Sequence, residues 1–159
     1  MATYQPTTGS NQSWKLRNTA SDTWSALRLR HRNKCMDVSG ASTTAGAAAV
    51  QYTCGGAADQ QWSLRSSSPG YVNVVVRHTG QCLDVSNAST ADDAALVQYF
   101  CNGGTNQEWS VRTTAVGYIT VVARHSGKCL DVSGASTADN AQLVQHACNG
   151  SSSQQIRVG

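Results

Sequence analysis

Three observations predict an all-β fold with three-fold pseudosymmetry: a unit repeated at a fixed step, strand-length β-branched runs in each unit, and no helical period. Cys35-Met36-Asp37-Val38-Ser39 recurs as Cys82-Leu83-Asp84-Val85-Ser86 and as Cys129-Leu130-Asp131-Val132-Ser133, each 47 positions on, with no insertion or deletion. The same step carries His31 to His78 and His125, and Gln60-Gln61-Trp62 to Gln107-Glu108-Trp109 and Gln154-Gln155-Ile156. One such unit cannot bury its own apolar face. Three of them in 159 residues predict one closed domain, with units at about 23–69, 70–116 and 117–159.

The first strand of a unit is read in Tyr71–Val76 and Tyr118–Ala123, β-branched and aromatic runs, and at the same phase in Trp24–Leu29. A two-residue hairpin turn is expected next, at Arg32-Asn33, Thr79-Gly80 and Ser126-Gly127, because Gly and Asn tolerate positive φ. The second strand carries Cys-x-Asp-Val and stops at Gly40, Asn87 or Gly134, residues suited to the left-handed region. The third is read at Ala49–Cys54, Ala95–Cys101 and Gln142–Cys148, and the fourth at Gln60–Leu64 and its repeats. Trp62 and Trp109 are expected in the core, with Ile156 as the smaller third member. Asn11-Gln12-Ser13-Trp14-Lys15-Leu16 resembles the fourth strand, so a strand at 11–17 is expected to dock beside the C-terminal end, Trp14 filling the space Ile156 leaves.

Charged residues are 13 % and aromatics 6 %, the make-up of short strands joined by tight turns. The net charge of +3 defines no partner, and the basic residues before position 35 read as a solvated edge. No apolar run reaches membrane-spanning length and no signal-peptide pattern opens the chain. Met1-Ala2 reads as a processing boundary, so a signal or neighbouring module is expected to have been lost from it. Six cysteines pair in fifteen ways by counting, but the repeat favours Cys35–Cys54, Cys82–Cys101 and Cys129–Cys148, one bridge per unit. Each closes a loop worth about 3 kcal/mol in the chain-entropy picture. Zinc is disfavoured because no Cys-x2-4-Cys or His-x3-5-His spacing occurs. Three disulfides imply an oxidising compartment and a secreted protein.

Gln-x-Trp closing a unit and Cys-Leu-Asp-Val near its start together resemble the ricin-B-type lectins, and in particular the family 13 carbohydrate-binding modules. The resemblance covers about residues 23–158. It implies a β-trefoil with six barrel strands, six strands in capping hairpins, and up to three shallow sugar pockets. It assigns the sugar contacts to the Asp after the first Cys, the aromatic residue two before the second Cys, and the residue before Gln-x-Trp. These are Asp37, Tyr52 and Asp59; then Asp84, Tyr99 and Asn106; then Asp131, His146 and Ser153. The chemistry suits a sugar: a carboxylate accepts two hydroxyl hydrogen bonds and a ring packs on the C–H face. All three carboxylates are expected on the outer surface.

The second unit matches best, Asp59 puts a second carboxylate beside Asp37, and the short Ser153 impairs the third pocket. Many relatives carry Gln where Val50, Val97 and Val144 stand; here Gln51, Gln98 and Gln145 come one step later. Strand alternation turns neighbours to opposite faces, which makes the aromatic residue the contact and these Gln lesser candidates. Gln60, Gln107 and Gln154 are expected to bond within the fold and support the Asp. His31, His78 and His125 follow Arg30, Arg77 and Arg124 at hairpin tips, a placement that opposes a metal triad.

Catalysis lacks a basis: Glu108 is the sole glutamate, and the aspartates recur as one set per unit instead of the asymmetric pair, about 5–10 Å apart, of a glycosidase. No phosphate loop, dinucleotide fingerprint or nucleophile elbow occurs. The expectation is therefore a non-catalytic, multivalent binder of xylan, arabinan, galactan or a related polysaccharide, from a secreted glycoside hydrolase with a covalently linked catalytic domain. No cofactor, metal, nucleic acid or membrane is expected. A structural or inhibitor trefoil that binds a protein through its loops is the alternative.

Overall fold

The structure is a computed structural model that describes residues 23–159. The strand expected at 11–17 and the placement of Trp14 lie outside the described residues. Twelve strands follow in chain order: β1 Leu27–Leu29, β2 Lys34–Val38, β3 Ala49–Tyr52, β4 Trp62–Ser66, β5 Val72–Val76, β6 Cys82–Val85, β7 Leu96–Tyr99, β8 Trp109–Thr113, β9 Ile119–Ala123, β10 Cys129–Val132, β11 Leu143–His146 and β12 Ile156–Val158. Strands β4, β5, β8, β9, β12 and β1 pair in sequence, and a Ser25–Trp62 bridge returns β1 to β4. This closes a six-stranded barrel. The hairpins β2–β3, β6–β7 and β10–β11 cap one end, tied to one another by the Ala48–Val97, Val50–Gln142 and Ala95–Val144 bridges. That is a β-trefoil, as expected.

Trp62 and Trp109 are 1 % and 0 % exposed, and their indole N–H groups donate to Met36 O and Leu83 O. The fully buried Ile156 stands in the third position. Around them pack Leu27, Leu29, Val76, Leu83, Val121 and Leu130. All three disulfides join the cysteines of one unit, with Cα–Cα separations of 5.1 Å.

Three local expectations change. The first run shortens to Leu27–Leu29, with Ser25 only in an isolated bridge. The hairpin turns are wider than two residues: Val76 N donates to Gln81 O, and Gly80 N returns to Val76 O. Asn33, Gly80 and Gly127 still hold the left-handed position, at φ 56°, 73° and 71°. Gln60 leaves the fourth strand for a 3-10 turn over Ala58–Gln60, because its Oε1 accepts from Gly55 N and Gly56 N and fixes the turn before the strand starts.

The lobes are locked to one another by a repeated set of contacts. His31, His78 and His125 place Nε2 2.7–2.8 Å from Ser136 O, Ser42 O and Ser89 O of a neighbouring lobe. Arg30, Arg77 and Arg124 lie over the rings of Tyr118, Trp24 and Tyr71, at 4.5, 5.9 and 4.4 Å from the centroids.

Candidate functional site

Each capping hairpin offers one face to the core and one to a cleft. In the first lobe, Asp37 stands opposite Val50 and Cys35 opposite Tyr52; Met36 stands opposite Gln51 and Val38 opposite Ala49. Alternation therefore turns Asp37, Val50 and Tyr52 toward the cleft and Met36, Val38, Ala49 and Gln51 inward. Val50 and Val97 line the first and second clefts. A 3-10 turn at Ser39–Ala41 forms one wall, with Gly40 and Ala41 both left-handed at φ 63° and 52°.

The clefts hold about 440, 470 and 360 Å³ in lobe order. Asp37, Tyr52 and Asp59 line the first; Asp84, Tyr99 and Asn106 the second; Asp131, His146 and Ser153 the third. The residues assigned to sugar contact are thus brought together in every lobe. Tyr52 and Tyr99 are 40 % and 41 % exposed, open enough to act as platforms. The carboxylates are not on the outer surface, however. Asp37, Asp84 and Asp131 are 7 %, 5 % and 7 % exposed and lie on the cleft floors, where donors orient them.

Those donors come from the Gln-x-Trp turn. Gln60 Nε2 donates to Asp37 Oδ2 at 2.9 Å and to Thr53 O at 3.0 Å. Gln107 treats Asp84 and Phe100 O alike at 2.8 Å, and Gln154 treats Asp131 and Ala147 O alike at 2.9 Å. All three Gln are buried, as their supporting role requires. At the other carboxylate oxygen the lobes diverge. Asp84 Oδ1 accepts from Asn106 Nδ2 at 2.9 Å, while Asp37 and Asp131 each take their own following backbone amide, Val38 N and Val132 N, at 2.7 Å. Ser153 Oγ bonds Ser151 Oγ and does not reach Asp131.

In the first cleft Asp59 brings a second carboxyl to the lining beside Asp37. Burial raises Asp37 to about 7; the hydrogen bond and negative charge of Asp59 add to the shift, and the Gln60 and Val38 donors oppose it. Burial raises Asp84 too, against the Gln107 and Asn106 donors.

Gln51, Gln98 and Gln145 are corrected as cleft candidates: each is 0 % exposed and faces inward. Gln51 Nε2 donates to Ser136 O and Ala138 O of the third lobe; Gln98 binds Ser42 O and Thr44 O, and Gln145 binds Ser89 O and Ala91 O. They hold a loop of the adjacent lobe against the cleft. That loop brings in residues missed in the sequence: Asn140 lines the first cleft, Gly46 the second and Asp93 the third. These too stand 47 apart, but only the packing of lobe on lobe tells which cleft they face. Asp93 Oδ1 lies 3.2 Å from His146 Nδ1.

Gly104 is a second missed position. A Cβ there would stand 2.6 Å from Asn106 Oδ1, so an Asn at 106 in this rotamer requires Gly at 104. The equivalent residues are Ala57 and Ser151, in the lobes that carry Asp59 and Ser153.

Glu108 does not enter a cleft. It pairs with Arg124 at 2.8 Å and accepts from Ser68 Oγ, whose hydrogen bond holds its carboxyl below the usual range, helped by Arg124. Among the described residues no three His, Cys, Asp or Glu converge as metal ligands.

Each lobe of the trefoil thus sets a carboxylate and a tyrosine or histidine ring in one cleft. The sequence profile of the ricin-type beta-trefoil lectin domain matches residues 23–156, and the chain belongs to that family. No curated protein matches the sequence. The designed three-fold symmetric protein ThreeFoil is 46 % identical, covering 85 % of this chain and 96 % of its own, with a TM-score of 0.83. The exo-beta-1,3-galactanase 1,3Gal43A from Clostridium thermocellum is 34 % identical over 86 % of this chain, with a TM-score of 0.84; the match spans 30 % of the galactanase. The Macrolepiota procera ricin B-like lectin, solved with lactose, shares the fold at 16 % identity and a TM-score of 0.74, over 87 % of this chain and 95 % of its own.

Proposed function

We propose that this domain binds polysaccharide through its clefts without catalysing a reaction, the second cleft leading. The observation that carries this reading is Asp84, oriented from below by Gln107 and Asn106 and open to the cleft beside the exposed Tyr99. A sugar with adjacent hydroxyls satisfies the free lone pairs of Asp84 while its C–H face covers the ring. Three clefts on one rigid body multiply weak single contacts when one chain reaches several of them. The ligand class is a plant cell-wall or related polysaccharide such as xylan, arabinan or galactan. The setting is a secreted glycoside hydrolase whose catalytic domain this module tethers. The match to part of a galactanase and the three disulfides support that setting.

Affinity electrophoresis in gels of each polysaccharide, with a glycan array beside it, tests the reading. Wild type should be retarded by at least one neutral glycan, with little response to salt, and Asp84→Ala should be retarded less. Retention of a protein partner with no glycan retention would favour the inhibitor-type trefoil. Equal retention of wild type and variant would remove the second cleft from the site.

A further inference from the structure

The first cleft differs from the second in charge. Where Asn106 donates to Asp84, Asp59 sets a second carboxyl against Asp37. Two carboxylates facing one cleft offer acceptors and negative charge and no donor. The β2–β3 hairpin contributes Asp37 and Tyr52, the 58–60 turn contributes Asp59, and the third lobe contributes the neutral Asn140. Among the described residues no Lys, Arg or His lines this cleft.

We propose that the first cleft takes a sugar carrying a free, protonated amine, a 2-amino-2-deoxyhexose unit, and that Asp59 sets this preference. The inference rests on the carbohydrate-binding reading above. An ammonium brings three donors and a positive charge. It donates to both carboxyls at once and places its charge between them. Charge-assisted hydrogen bonds of this kind are roughly twice as strong as neutral ones. The Asp37 carboxyl, raised to about 7, gives up its proton near neutral pH. Tyr52 receives the C–H face, as Tyr99 does in the second cleft. An N-acetylated or neutral sugar offers no charge to the pair, and a cleft carrying Asn in place of Asp59 has no pair to offer.

The test is an NMR titration of the labelled protein with glucosamine, galactosamine, their N-acetylated forms, and glucose and galactose, at mildly acid pH. The amides of Gly40, Asn87 and Gly134 report the three clefts separately. Gly40 should respond to an amino sugar with an apparent Kd about tenfold or more below that for its N-acetylated form. Asp59→Asn should erase the difference. Ala57→Gly accompanies that change in a second variant, since the equivalent Gly104 leaves room for Asn106. Equal response of Gly40 to the amine and its N-acetylated form overturns the proposal. So does a preference that survives both variants, or a shift of Gly40 by calcium alone. Silence of Gly40 toward every sugar while Asn87 responds overturns it and leaves the lectin reading standing; silence at all three amides overturns both.

Discussion

In the second cleft Gln107 reaches Asp84 at 2.8 Å, and in the third Gln154 reaches Asp131 at 2.9 Å; above these matching floors the rims part company. Asn106 touches its carboxylate and Ser153 does not. Tyr99 and Gly46 line the second cleft where His146 and Asp93 line the third. The difference separates two kinds of constraint. A buried amide and carboxylate each cost free energy when left unpartnered, so every lobe needs the same floor. A rim side chain in contact with water can be exchanged at little cost to the fold, and the rim is where the lobes become different binding sites.

The largest effect should fall on the floor and be equal in both lobes. Gln107→Ala strips a donor from Asp84 and partners from Phe100 O and Asn102 N; Gln154→Ala does the same to Asp131, Ala147 O and Asn149 N. Each should destabilise the protein by about 3 kcal/mol in chemical denaturation, from several buried groups left unpaired. A difference between the two well beyond about 1 kcal/mol would show that the floors are not equivalent.

The rim should respond unequally. Tyr99→Ala should weaken glycan binding at the second cleft by about 1 kcal/mol, roughly fivefold, while thermal stability barely moves. In the third cleft, His146→Tyr, Ser153→Asn and Asp93→Gly together rebuild the second cleft, but only with Ser151→Gly. The Asn106 oxygen lies 2.6 Å from where a Cβ at 104 would be, and Ser151 puts a Cβ at the matching point. Titration of the Gly134 amide should show a gain for the fourfold variant and none for the threefold one. A gain in both would mean that the cleft tolerates another Asn rotamer.

The floor was far more legible in the sequence than the rim. A fixed step of 47 aligns Asp37 with Asp84 and Asp131 and places each cysteine pair within its own lobe, because these contacts are made inside one unit. Strand alternation told Tyr52 from Gln51, since it needs only the period of two. Asn140, Gly46 and Asp93 escaped because their cleft belongs to another lobe. The depth of the carboxylates escaped because Gln60, which closes the turn beneath Asp37, was read as the start of a strand. The Gly104 signal was present all along: small residues of increasing bulk at 104, 57 and 151 accompany Asn, Asp and Ser two positions later. Its meaning needs the 2.6 Å approach.

The smallest effect, and the sharpest contrast between the first cleft and the second, concerns pH. The Asp37 carboxyl is raised from 3.8 to about 7 in the folded protein, so between those values the folded state holds a proton that the unfolded chain has lost. Stability therefore falls with rising pH across that window: the contribution of this group is complete below 3.8 and is lost as pH passes about 7. Asp59→Asn with Ala57→Gly replaces the acid pair by an Asp–Asn contact like that of Asp84 and Asn106. The variant should lose less stability than wild type between about pH 5 and 8, the melting curves separating by roughly 2 °C at the upper end. Asp84 is raised in both proteins and leaves a shared residual slope of the same sign. Asp92, Asp139 and Glu108 are held low by Lys128, Lys34 and Ser68, so their contributions are lost as pH falls, equally in both proteins. Parallel curves from pH 5 to 8 would mean that Asp59 adds nothing to the raised Asp37 carboxyl and that burial alone sets it.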